Sequence, residues 1–377
     1  MPCVDDYMLC VEHFLKKKLV VSAVNFTEGG PLAVLRECLH NAVIHLGNDW
    51  DIVALVHDRT LFSEPSVTFL EFPSCKFSWL TRLHHEWFKF KPLSRTLNAD
   101  LWLSLHDITP VVVARRQAVY CHNPAPFYQL TRREARLEPT LFVFNKLYGW
   151  VYRLNIQRNH HVVVQQNWLR KQFERRYNAP GVIVAHPVAT PSQVGARRPP
   201  ADKTVFLYPA LPRVFKNFEV ILKATEILNQ RGITNFEVQL TIDGSENRYA
   251  AELLERFAGI DHVCFLGRQN KDAMASRYQT ANCLLFPSRL ETWGLPVTEA
   301  QAVSMPMLVA DLPYAYETVG SYDQVRFFPP QDDLALADLM QQMIAGTIEF
   351  SPVEVTPPHA PFARDWPALL HILVDGL

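Results

Sequence analysis

The sequence lacks several features that would assign it to a common class of protein. No apolar run approaches the roughly 18 residues that a membrane-spanning helix needs, which argues against an integral membrane protein. The seven cysteines are an odd number and form no Cys-x-x-Cys pair, so we expect reduced, mostly buried thiols in a cytoplasmic protein. Glycine is scarce, at 14 of 377 residues, and each glycine that follows a strand is therefore informative.

Metal-binding patterns are weak as well. The segments His84-His85-Glu86 and His160-His161 lack the His-Glu-x-x-His spacing of zinc enzymes and have no accompanying cysteine cluster. Asp49-Trp-Asp51 is a literal Asp-x-Asp, a pattern that can hold a metal–nucleotide complex, but it leads into a strand-like run instead of following one. We therefore expect no metal and no cofactor.

Length and charge predict two domains of different character. A chain of 377 residues is long for one hydrophobic core and matches two ordinary domains. Residues 1–200 carry 24 Lys and Arg against 16 Asp and Glu, a net charge of +8, whereas residues 201–377 carry 13 against 22, a net charge of −9. We expect a basic face on the first half, and the acidic second half argues against nucleic-acid binding.

Short runs of Val, Leu, Ile and Phe alternate with helix-length segments, a pattern that predicts parallel α/β sheets. The first series of predicted strands is Leu19–Val24, Asp51–Val56, Val67–Phe72, Leu101–Leu105, Ala118–Cys121, Val162–Val164 and Val182–Ala185. The second series is Thr204–Tyr208, Glu237–Asp243, Val263–Leu266, Cys283–Phe286, Met307–Ala310 and Arg326–Phe328. The proline-rich stretch Ala185–Pro200 predicts a linker, and another at Pro352–Pro361 precedes an amphipathic helical pattern over Phe362–Leu373.

The most informative segment places two carboxylates around a strand end and a helix start. The apolar run that ends at Phe286 predicts a strand, and Pro296 predicts the first turn of a helix. Glu291 then lies in the loop, and Glu299 lies about one turn into the helix. At the carboxyl end of a parallel sheet, a helix start offers N–H groups to a phosphate, and carboxylates can accept from sugar hydroxyls. The segment therefore predicts a sugar-nucleotide site.

These residues resemble the signature of the retaining glycosyltransferases of family 4, in which seven residues separate two glutamates. The resemblance includes Phe286-Pro-Ser, Gly294-Leu-Pro and Glu299-Ala, has good spacing over about Thr204–Pro330, and continues more weakly through the first 190 residues. It implies the GT-B fold, an α/β architecture of two Rossmann-like, doubly wound parallel-sheet domains with an interdomain cleft. The implied parts are an acceptor-binding domain (1–198), a nucleotide-sugar-binding domain (199–358), and a C-terminal helix that crosses back to the first domain (359–377).

The resemblance also implies an activity. It is that of a metal-independent hexosyltransferase that moves a sugar from a nucleotide diphosphate donor to an acceptor hydroxyl with retention of configuration. Glu299 would hold the ribose hydroxyls and Glu291 the sugar hydroxyls, while the segment Thr292-Trp293-Gly294-Leu295 would contact the donor. Such enzymes need no strong protein nucleophile, because positioning and electrostatics supply most of the catalysis.

Two cations follow the first strand of the second half. Arg213 and Lys216 can stabilise a departing diphosphate as charge builds on it. The resemblance matches Lys216 well, whereas Arg213 lies closer to the lysine than the family pattern expects, and Arg268 competes for its role.

Glycine-containing loops follow three other predicted strands. Gly29-Gly30 precedes a helix, so its backbone and the helix start can approach a diphosphate, although a tight turn alone also explains the pair. Gly244, Gly267 and the adjacent Arg268 and Asn270 resemble the loops that surround the nucleotide base and ribose.

Two histidines follow consecutive predicted strands of the first half, His106 after Leu101–Leu105 and His122 after Ala118–Cys121. Both imidazoles should therefore emerge at the same edge of the sheet. His122 resembles the family histidine beside the donor sugar and is a catalytic candidate, and His106 is a candidate for donor binding.

The predicted partners are a UDP- or GDP-sugar donor and a glycolipid or glycan acceptor. The segments around His106 and His122 resemble bacterial transferases that build surface polysaccharide, of the O-antigen or capsule type, on a lipid carrier. Segments 76–98 and 142–176 interleave cations with aromatic residues, which suits an anionic membrane surface, although core-facing aromatic residues beside solvated cations explain the pattern equally well. We expect a cytoplasmic protein, peripheral on the inner leaflet of the plasma membrane.

Two alternatives stay open for a chain with this fold. A sugar-nucleotide epimerase would need its own acid and base carboxylates, which the sequence does not place, and a phosphorylase is usually much longer. A catalytically silent module would bind a nucleotide sugar without turnover, and the presence of Glu291, Glu299 and Lys216 argues against it.

Overall fold

Contacts among the described residues define two units. The computed structural model describes residues 16–186, 197–354 and 356–377. The first unit runs to Val119 and also contains Arg158–His160 and Leu373–Leu377, and the second contains Tyr120–Gln157 and His161–Ile372. The domain limits predicted from the sequence stay a prediction, and most of the predicted linker, 187–196, lies outside the described residues.

The elements follow one another in a regular strand–helix alternation. The strands are β1 (Lys17–Ser22), β2 (Trp50–Val56), β3 (Val67–Glu71), β4 (Ala99–Ser104), β5 (Ala114–Cys121), β6 (His161–Val164), β7 (Val182–Ala185), β8 (Thr204–Tyr208), β9 (Phe236–Leu240), β10 (Val263–Phe265), β11 (Cys283–Phe286), β12 (Met307–Ala310), β13 (Val325–Phe328) and β14 (Phe362–Ala363). The helices are α1 (Gly29–Leu46), α2 (Ser74–Phe77), α3 (Trp79–His84), α4 (Phe90–Leu97), α5 (Arg132–Leu137), α6 (Pro139–Arg153), α7 (Asn167–Tyr177), α8 (Phe218–Gln230), α9 (Arg248–Arg256), α10 (Lys271–Thr280), α11 (Leu295–Ala302), α12 (Pro313–Val319), α13 (Asp333–Ala345) and α14 (Trp366–Val374). A π-helical turn, His85–Lys89, joins α3 to α4.

The first unit is built on parallel strands in the order β3-β2-β1-β4-β5. Leu19, Val20 and Val21 of β1 are fully buried, as expected for a central parallel strand that is covered on both faces. Trp102 of β4 and Phe90 of α4 are also fully buried and lie with ring centroids 5.8 Å apart. The central strands therefore owe their stability to apolar packing on both sides.

The second unit contains a six-stranded parallel sheet in the order β10-β9-β8-β11-β12-β13. Chain order reverses between β8 and β11, where Cys283 pairs with Phe206. Such a switch point leaves a crevice at the carboxyl ends of the two strands, where open α/β sheets bind ligands. The chain leaves these strands at Tyr208 and Phe286, and the candidate site is built from the loops that follow.

The predicted α/β class is confirmed, because the described strands form two sheets of eight and six members with parallel pairing. Strand ends differ from the predictions by a few residues, and β5 begins at Ala114, four residues earlier than predicted. The helix predicted from Phe362 is wrong at its start. Phe362 and Ala363 instead pair in parallel with Val184 and Ala185 of β7, and α14 begins only at Trp366.

Two further findings concern expectations from composition. No helix within the described ranges combines the length and the apolar character that crossing a membrane requires. Cys38, Cys75 and Cys283 are buried free thiols, Cys264 is a partly exposed free thiol, and Cys121 is buried. Cys3 and Cys10 lie outside the described residues.

Candidate active site

Gly294 shapes the loop between β11 and α11. Its backbone is left-handed, with φ of 95° and ψ of 62°, immediately before the helix begins at Leu295. A Cβ atom at this position would lie 3.1 Å from Cε1 of Phe286, which is closer than side chains normally pack. Only glycine allows this turn without strain, and the turn joins the loop after β11 to the start of α11.

Lys216 and Glu291 meet at the switch point, as two loops of the second unit bring them together. Lys216 Nζ lies 2.5 Å from Glu291 Oε1, and the side chains are only 17% and 12% exposed. The ammonium group also lies 5.7 Å from the ring centroid of Phe215 and 6.0 Å from that of Phe286. A cation that is held by one carboxylate and two ring faces is fixed in place before any ligand binds.

The loop that carries Lys216 is anchored on both sides. Asn217 adopts a left-handed backbone, with φ of 58°, and its amide donates to the carbonyl oxygens of Pro287 at 3.2 Å and Pro330 at 2.7 Å. The hydroxyl of the buried Tyr208 donates to Lys216 O at 2.7 Å. These bonds tie the loop after β8 to the loop after β11.

Glu299 lines a cavity of about 330 Å³ together with Asn270, Leu295 and Tyr278. The Tyr278 hydroxyl donates to Glu299 Oε2 at 2.6 Å. Burial raises the pKa of the Glu299 carboxyl above its ordinary value, and the hydrogen bond from Tyr278 opposes part of that shift. The carboxyl therefore lies in an environment of low polarity with one oxygen held and the other available to a ligand.

The loops after β9 and β10 contain the other predicted glycines. Gly267 has φ of 64°, and a Cβ there would lie 2.7 Å from Asp243 Oδ2; Gly244 has φ of 88°. The Glu246 carboxylate accepts from Asp243 N at 2.9 Å and Gly244 N at 3.0 Å. Two consecutive N–H groups after β9 thus donate to a carboxylate of the protein itself. The same arrangement of N–H groups can bind the anionic group of a ligand.

Arg268 and Asn270 follow β10, and they differ in their surroundings. Arg268 is exposed. Asn270 caps α10, because its side-chain oxygen accepts from Ala273 N at 2.8 Å. Asn270 is therefore placed by a structural bond while it lines the cavity.

Arg213, the second predicted cation, is bound to a carboxylate that the sequence analysis did not identify. Its Nε lies 3.0 Å from Glu138 Oε2, and Glu138 Oε1 accepts from Val214 N at 3.0 Å. Burial raises the pKa of Glu138, and the attraction of Arg213 opposes the rise. The guanidinium of Arg213 is still 44% exposed, so its role at the diphosphate stays a prediction.

A second pair of charges lies beside this one. Arg289 Nη2 contacts Glu134 Oε1 at 2.6 Å and donates to Val214 O at 2.7 Å. Glu134 also closes a capping box with Thr131 at the start of α5. Arg289 belongs to the informative segment, but its partner lies 155 positions away, and only the fold brings the two together.

Trp293 is held by a buried network that sequence reasoning missed. Its carbonyl oxygen accepts from Thr318 Oγ1, and its ring lies 4.6 Å from the ring of His186. Gln166, which is fully buried, donates to Thr318 Oγ1 at 2.7 Å and to Tyr314 O at 3.0 Å. In the sequence, Gln166 is only a polar residue that follows an apolar strand, and this pattern is too common to identify a functional residue.

Glu317 completes the network. Its carboxylate lies 2.7 Å from His186 Nε2 and accepts from Asn167 N at 2.8 Å, at the start of α7. Hydrogen bonds that involve α12 and the start of α7 therefore hold the predicted donor segment at 292–295 in place.

Three predicted residues lie in the first unit. Gly29 and Gly30 are exposed at the start of α1, and a Cβ at either position would meet no neighbour within 4 Å. His106 is 1% exposed, with Nε2 at 2.9 Å from Glu86 Oε1 and 3.2 Å from Ser22 Oγ. His106 is thus enclosed by buried polar groups, and its predicted contact with a donor stays a prediction.

His122 lies in the second unit, directly after β5. Its ring centroid is 4.2 Å from that of Tyr120, and its side chain is partly exposed. Its predicted catalytic role also stays a prediction. In the part of the chain that is described, no group of three or more His, Cys, Asp and Glu side chains could hold a metal ion.

Solved structures of the GT-B fold share this architecture. The lipopolysaccharide outer core galactosyltransferase WaaB aligns with a TM-score of 0.61 and 13% identity, over 88% of this chain and 91% of the other. HepE from Anabaena, solved in complex with UDP-glucose, aligns with a TM-score of 0.55 and 14% identity, over 88% and 90%. At these identities the likeness establishes the fold, which is the predicted one.

The sequence comparisons identify the domain that contains the candidate site. Residues 192–350 match the model of the glycosyl transferases group 1, so this part of the chain carries the domain that the model describes. The O-antigen chain mannosyltransferase RfbU of Salmonella typhimurium is 21% identical over 236 residues, and the match spans 62% of each protein. The matched residues include the strand–loop–helix segment with Glu291 and Glu299, as the resemblance predicted.

Proposed function

We propose that the protein is a retaining, metal-independent hexosyltransferase that uses a nucleotide diphosphate sugar. The observation that carries this proposal is the contact between Lys216 and Glu291 at the switch point of the second unit, close to the carboxyl ends of β8 and β11. A cation and a carboxylate in that position offer one group for a diphosphate and one for the hydroxyls of a sugar.

The donor would bind along the loops of the second unit. Glu299 Oε1 would accept from a ribose hydroxyl, because Tyr278 occupies Oε2. The base would lie against the loops that contain Gly244 and Gly267. The diphosphate would face Lys216 and the first turn of α11, whose N–H groups favour negative charge.

In the reaction, the bond from the sugar C1 to the β-phosphate oxygen breaks, and a bond from C1 to the acceptor oxygen forms on the same face. The acceptor proton passes to the β-phosphate oxygen that leaves. Lys216 would release Glu291 and stabilise the growing charge on the diphosphate, and Glu291 would then accept from sugar hydroxyls. Arg213 or Arg268 would add to the diphosphate contacts, and His122 would orient a sugar hydroxyl.

The donor is proposed to be a UDP- or GDP-sugar. The complex of HepE with UDP-glucose supports a nucleotide sugar of this kind on the same fold. Gly29, Gly30 and His106 of the first unit are proposed to contact the donor as well, through the start of α1 and through the imidazole.

The acceptor is proposed to be a lipid-linked glycan in the biosynthesis of a surface polysaccharide. The names of RfbU, an O-antigen chain mannosyltransferase, and WaaB, a lipopolysaccharide galactosyltransferase, support this class of acceptor. In segment 76–98 of the first unit, the side chains of Phe77, Leu80 and Phe88 are 83%, 74% and 65% exposed among basic residues. Exposed apolar residues beside cations support peripheral binding to the inner leaflet of the plasma membrane from the cytoplasm.

The test is a nuclear magnetic resonance time course with UDP- and GDP-hexoses in the absence of acceptor, with and without a chelator. We expect slow release of the sugar from one donor class, with the released anomer retaining the donor configuration and with no effect of the chelator. Release of the opposite anomer, or release that the chelator abolishes, would contradict the retaining, metal-independent reaction. Binding without any release would favour a silent module, and interconversion of the sugar on the nucleotide would favour an epimerase.

A further inference from the structure

A small pocket beside α6 is lined by basic and aromatic side chains. It has a volume of about 250 Å³ and includes Phe127, Tyr128, Phe142, Lys146 and Arg176 in its lining. The lining contains two cations and no carboxylate. The pocket lies outside the donor site described above, and none of its lining residues takes part in the reaction steps proposed there.

The pocket walls are held in place. Asn145 of α6 donates to the carbonyl oxygens of Ala125 and Tyr128, each at 2.5 Å, and so fixes the turn at 125–128 against the helix. Arg176 donates to Pro126 O at 3.1 Å, and its guanidinium lies 5.2 Å from the ring centroid of Phe127. Both Arg176 and Lys146 are nevertheless exposed, so their charges can reach a ligand.

The face of α6 next to the pocket is apolar and exposed. Val143, Leu147 and Trp150 are 51%, 51% and 57% exposed, and their spacing places them on one side of the helix. Phe142, which lines the pocket, is 43% exposed. No Asp or Glu occurs within α6, whose charged residues are Lys146 and Arg153. Such an apolar stripe is therefore available for contact with an apolar ligand.

The pocket also touches the loop that carries Lys216. The rings of Tyr128 and Phe215 lie 6.0 Å apart, and Phe215 directly precedes Lys216. The Tyr128 hydroxyl donates to Glu134 Oε1 at 2.8 Å, which in turn contacts Arg289. A ligand phosphate in the pocket would therefore place the group attached to it near the proposed donor site.

We propose that this pocket and the exposed face of α6 bind an anionic lipid surface, with Lys146 and Arg176 on a lipid phosphate and Val143, Leu147 and Trp150 among the acyl chains. The pairing of two cations with an apolar stripe distinguishes this ligand from a free phosphate, which needs no apolar contact. The inference rests on the proposed function, since a lipid-linked acceptor would present such a phosphate to the enzyme.

The experiment is co-sedimentation at low salt with phosphatidylcholine vesicles that do or do not contain phosphatidic acid. We expect wild type to bind only the anionic vesicles. The double substitution Lys146→Gln with Arg176→Gln should weaken binding roughly thirtyfold, because each basic side chain near an anionic surface contributes roughly fivefold. The control, Arg248→Gln with Arg364→Gln, removes the same charge from exposed positions away from the pocket and should bind like wild type.

A second pair of variants tests the apolar face. Leu147→Ser with Trp150→Ser should lose binding to the anionic vesicles, whereas Leu334→Ser, at a similarly exposed apolar position on α13, should not. Equal binding by the pocket variant and the charge control would overturn the proposal. Binding that inorganic pyrophosphate abolishes and that the serine variants leave unchanged would also overturn it, in favour of a free-anion site.

Nucleotide binding measured on the same samples separates this inference from the proposed function. The pocket variants should keep the affinity of wild type for UDP or GDP. Wild type that binds a nucleotide but no anionic vesicle would overturn the lipid-phosphate site alone. Wild type that binds anionic vesicles but no nucleotide would instead contradict the proposed transferase reaction.

Discussion

Glu299 is a partly buried carboxyl whose surroundings oppose its ionisation in the free protein. It lies in a cavity, its Oε2 accepts from Tyr278, and burial raises its pKa. An ionised carboxylate in such a place is unfavourable until a donor group reaches it. A ribose hydroxyl would be such a donor.

We therefore expect Glu299→Gln to leave the free protein at least as stable as wild type at neutral pH. Because the pKa of Glu299 is raised on folding, the stability that the protonated carboxyl contributes is full below its ordinary pKa and is lost as the pH rises through the folded-state pKa. Glutamine keeps a neutral oxygen for Tyr278 at every pH. Melting temperatures measured across a pH series would show the difference in stability between Glu299→Gln and wild type. The control is Glu255→Gln, at an exposed position on α9.

The advantage of the variant should shrink as the pH falls and Glu299 becomes protonated in wild type too. A variant that is less stable than wild type at neutral pH and equally so in acid would show that Glu299 is an ordinary structural residue.

Lys216 should matter for the chemical step more than for folding. We expect Lys216→Ala to lower the rate of donor cleavage by about 100-fold or more, the usual effect of removing one group that stabilises charge in the transition state. Lys171→Ala, at an exposed position on α7, is the control for loss of a lysine. The measurement is the single-turnover rate of donor cleavage at saturating donor. An unchanged rate in Lys216→Ala would show that Lys216 does not act in the chemical step.

At the scale of the element, the loop between β11 and α11 depends on one backbone conformation and on one buried network. The conformation is the left-handed Gly294 against the ring of Phe286. The network runs from Gln166 through Thr318 to the carbonyl of Trp293. The first could be predicted from a local motif, and the second could not.

Gly294→Ala should destabilise the protein by more than the about 1–2 kcal/mol that a left-handed alanine alone costs. The added methyl group would also press on Phe286 at 3.1 Å. Gly232→Ala separates the two effects, because Gly232 has φ of 73° and no neighbour within 4 Å of the new Cβ. Equal losses in denaturant unfolding of the two variants would show that Phe286 does not restrict this turn.

Gln166→Leu should cost about 1–3 kcal/mol of stability, because it removes two donated hydrogen bonds and leaves buried acceptors unpaired. It should also lower the rate of donor cleavage, since Trp293 loses its support. Gln230→Leu, at an exposed position at the end of α8, should change stability by no more than about 0.5 kcal/mol. Loss of stability with an unchanged rate would show that the network does not position the donor loop.

At the scale of the whole molecule, local patterns predicted the architecture but not the contacts within the site. The parallel sheets follow from runs of β-branched residues, and the positions of Glu291 and Glu299 follow from the strand and helix that flank them. The contact of Lys216 with Glu291 spans 75 positions, and that of Gln166 with Thr318 spans 152. No periodicity encodes such pairs, because they depend on which strands become neighbours.

The errors have the same origin. The pair Phe362–Ala363 forms β14 because β7 offers a free edge, although the apolar pattern that follows is helical. The contact of Arg213 with Glu138 was not predicted, because the two residues are 75 positions apart and approach each other only in the folded chain. The predicted strand ends were wrong by a few residues because hydrogen bonding to a neighbour, not composition, sets where a strand stops.

The central claim is that the second unit binds a nucleotide diphosphate through Glu299 and Lys216, and calorimetric titration with UDP and GDP tests it most directly. We predict that one nucleotide binds wild type, that Glu299→Gln weakens the affinity about tenfold or more through the lost charged hydrogen bond, and that a hundredfold excess over the dissociation constant stabilises wild type by about 2.7 kcal/mol. The claim is contradicted if neither nucleotide binds wild type. It is also contradicted if a nucleotide binds wild type and Glu299→Gln with equal affinity.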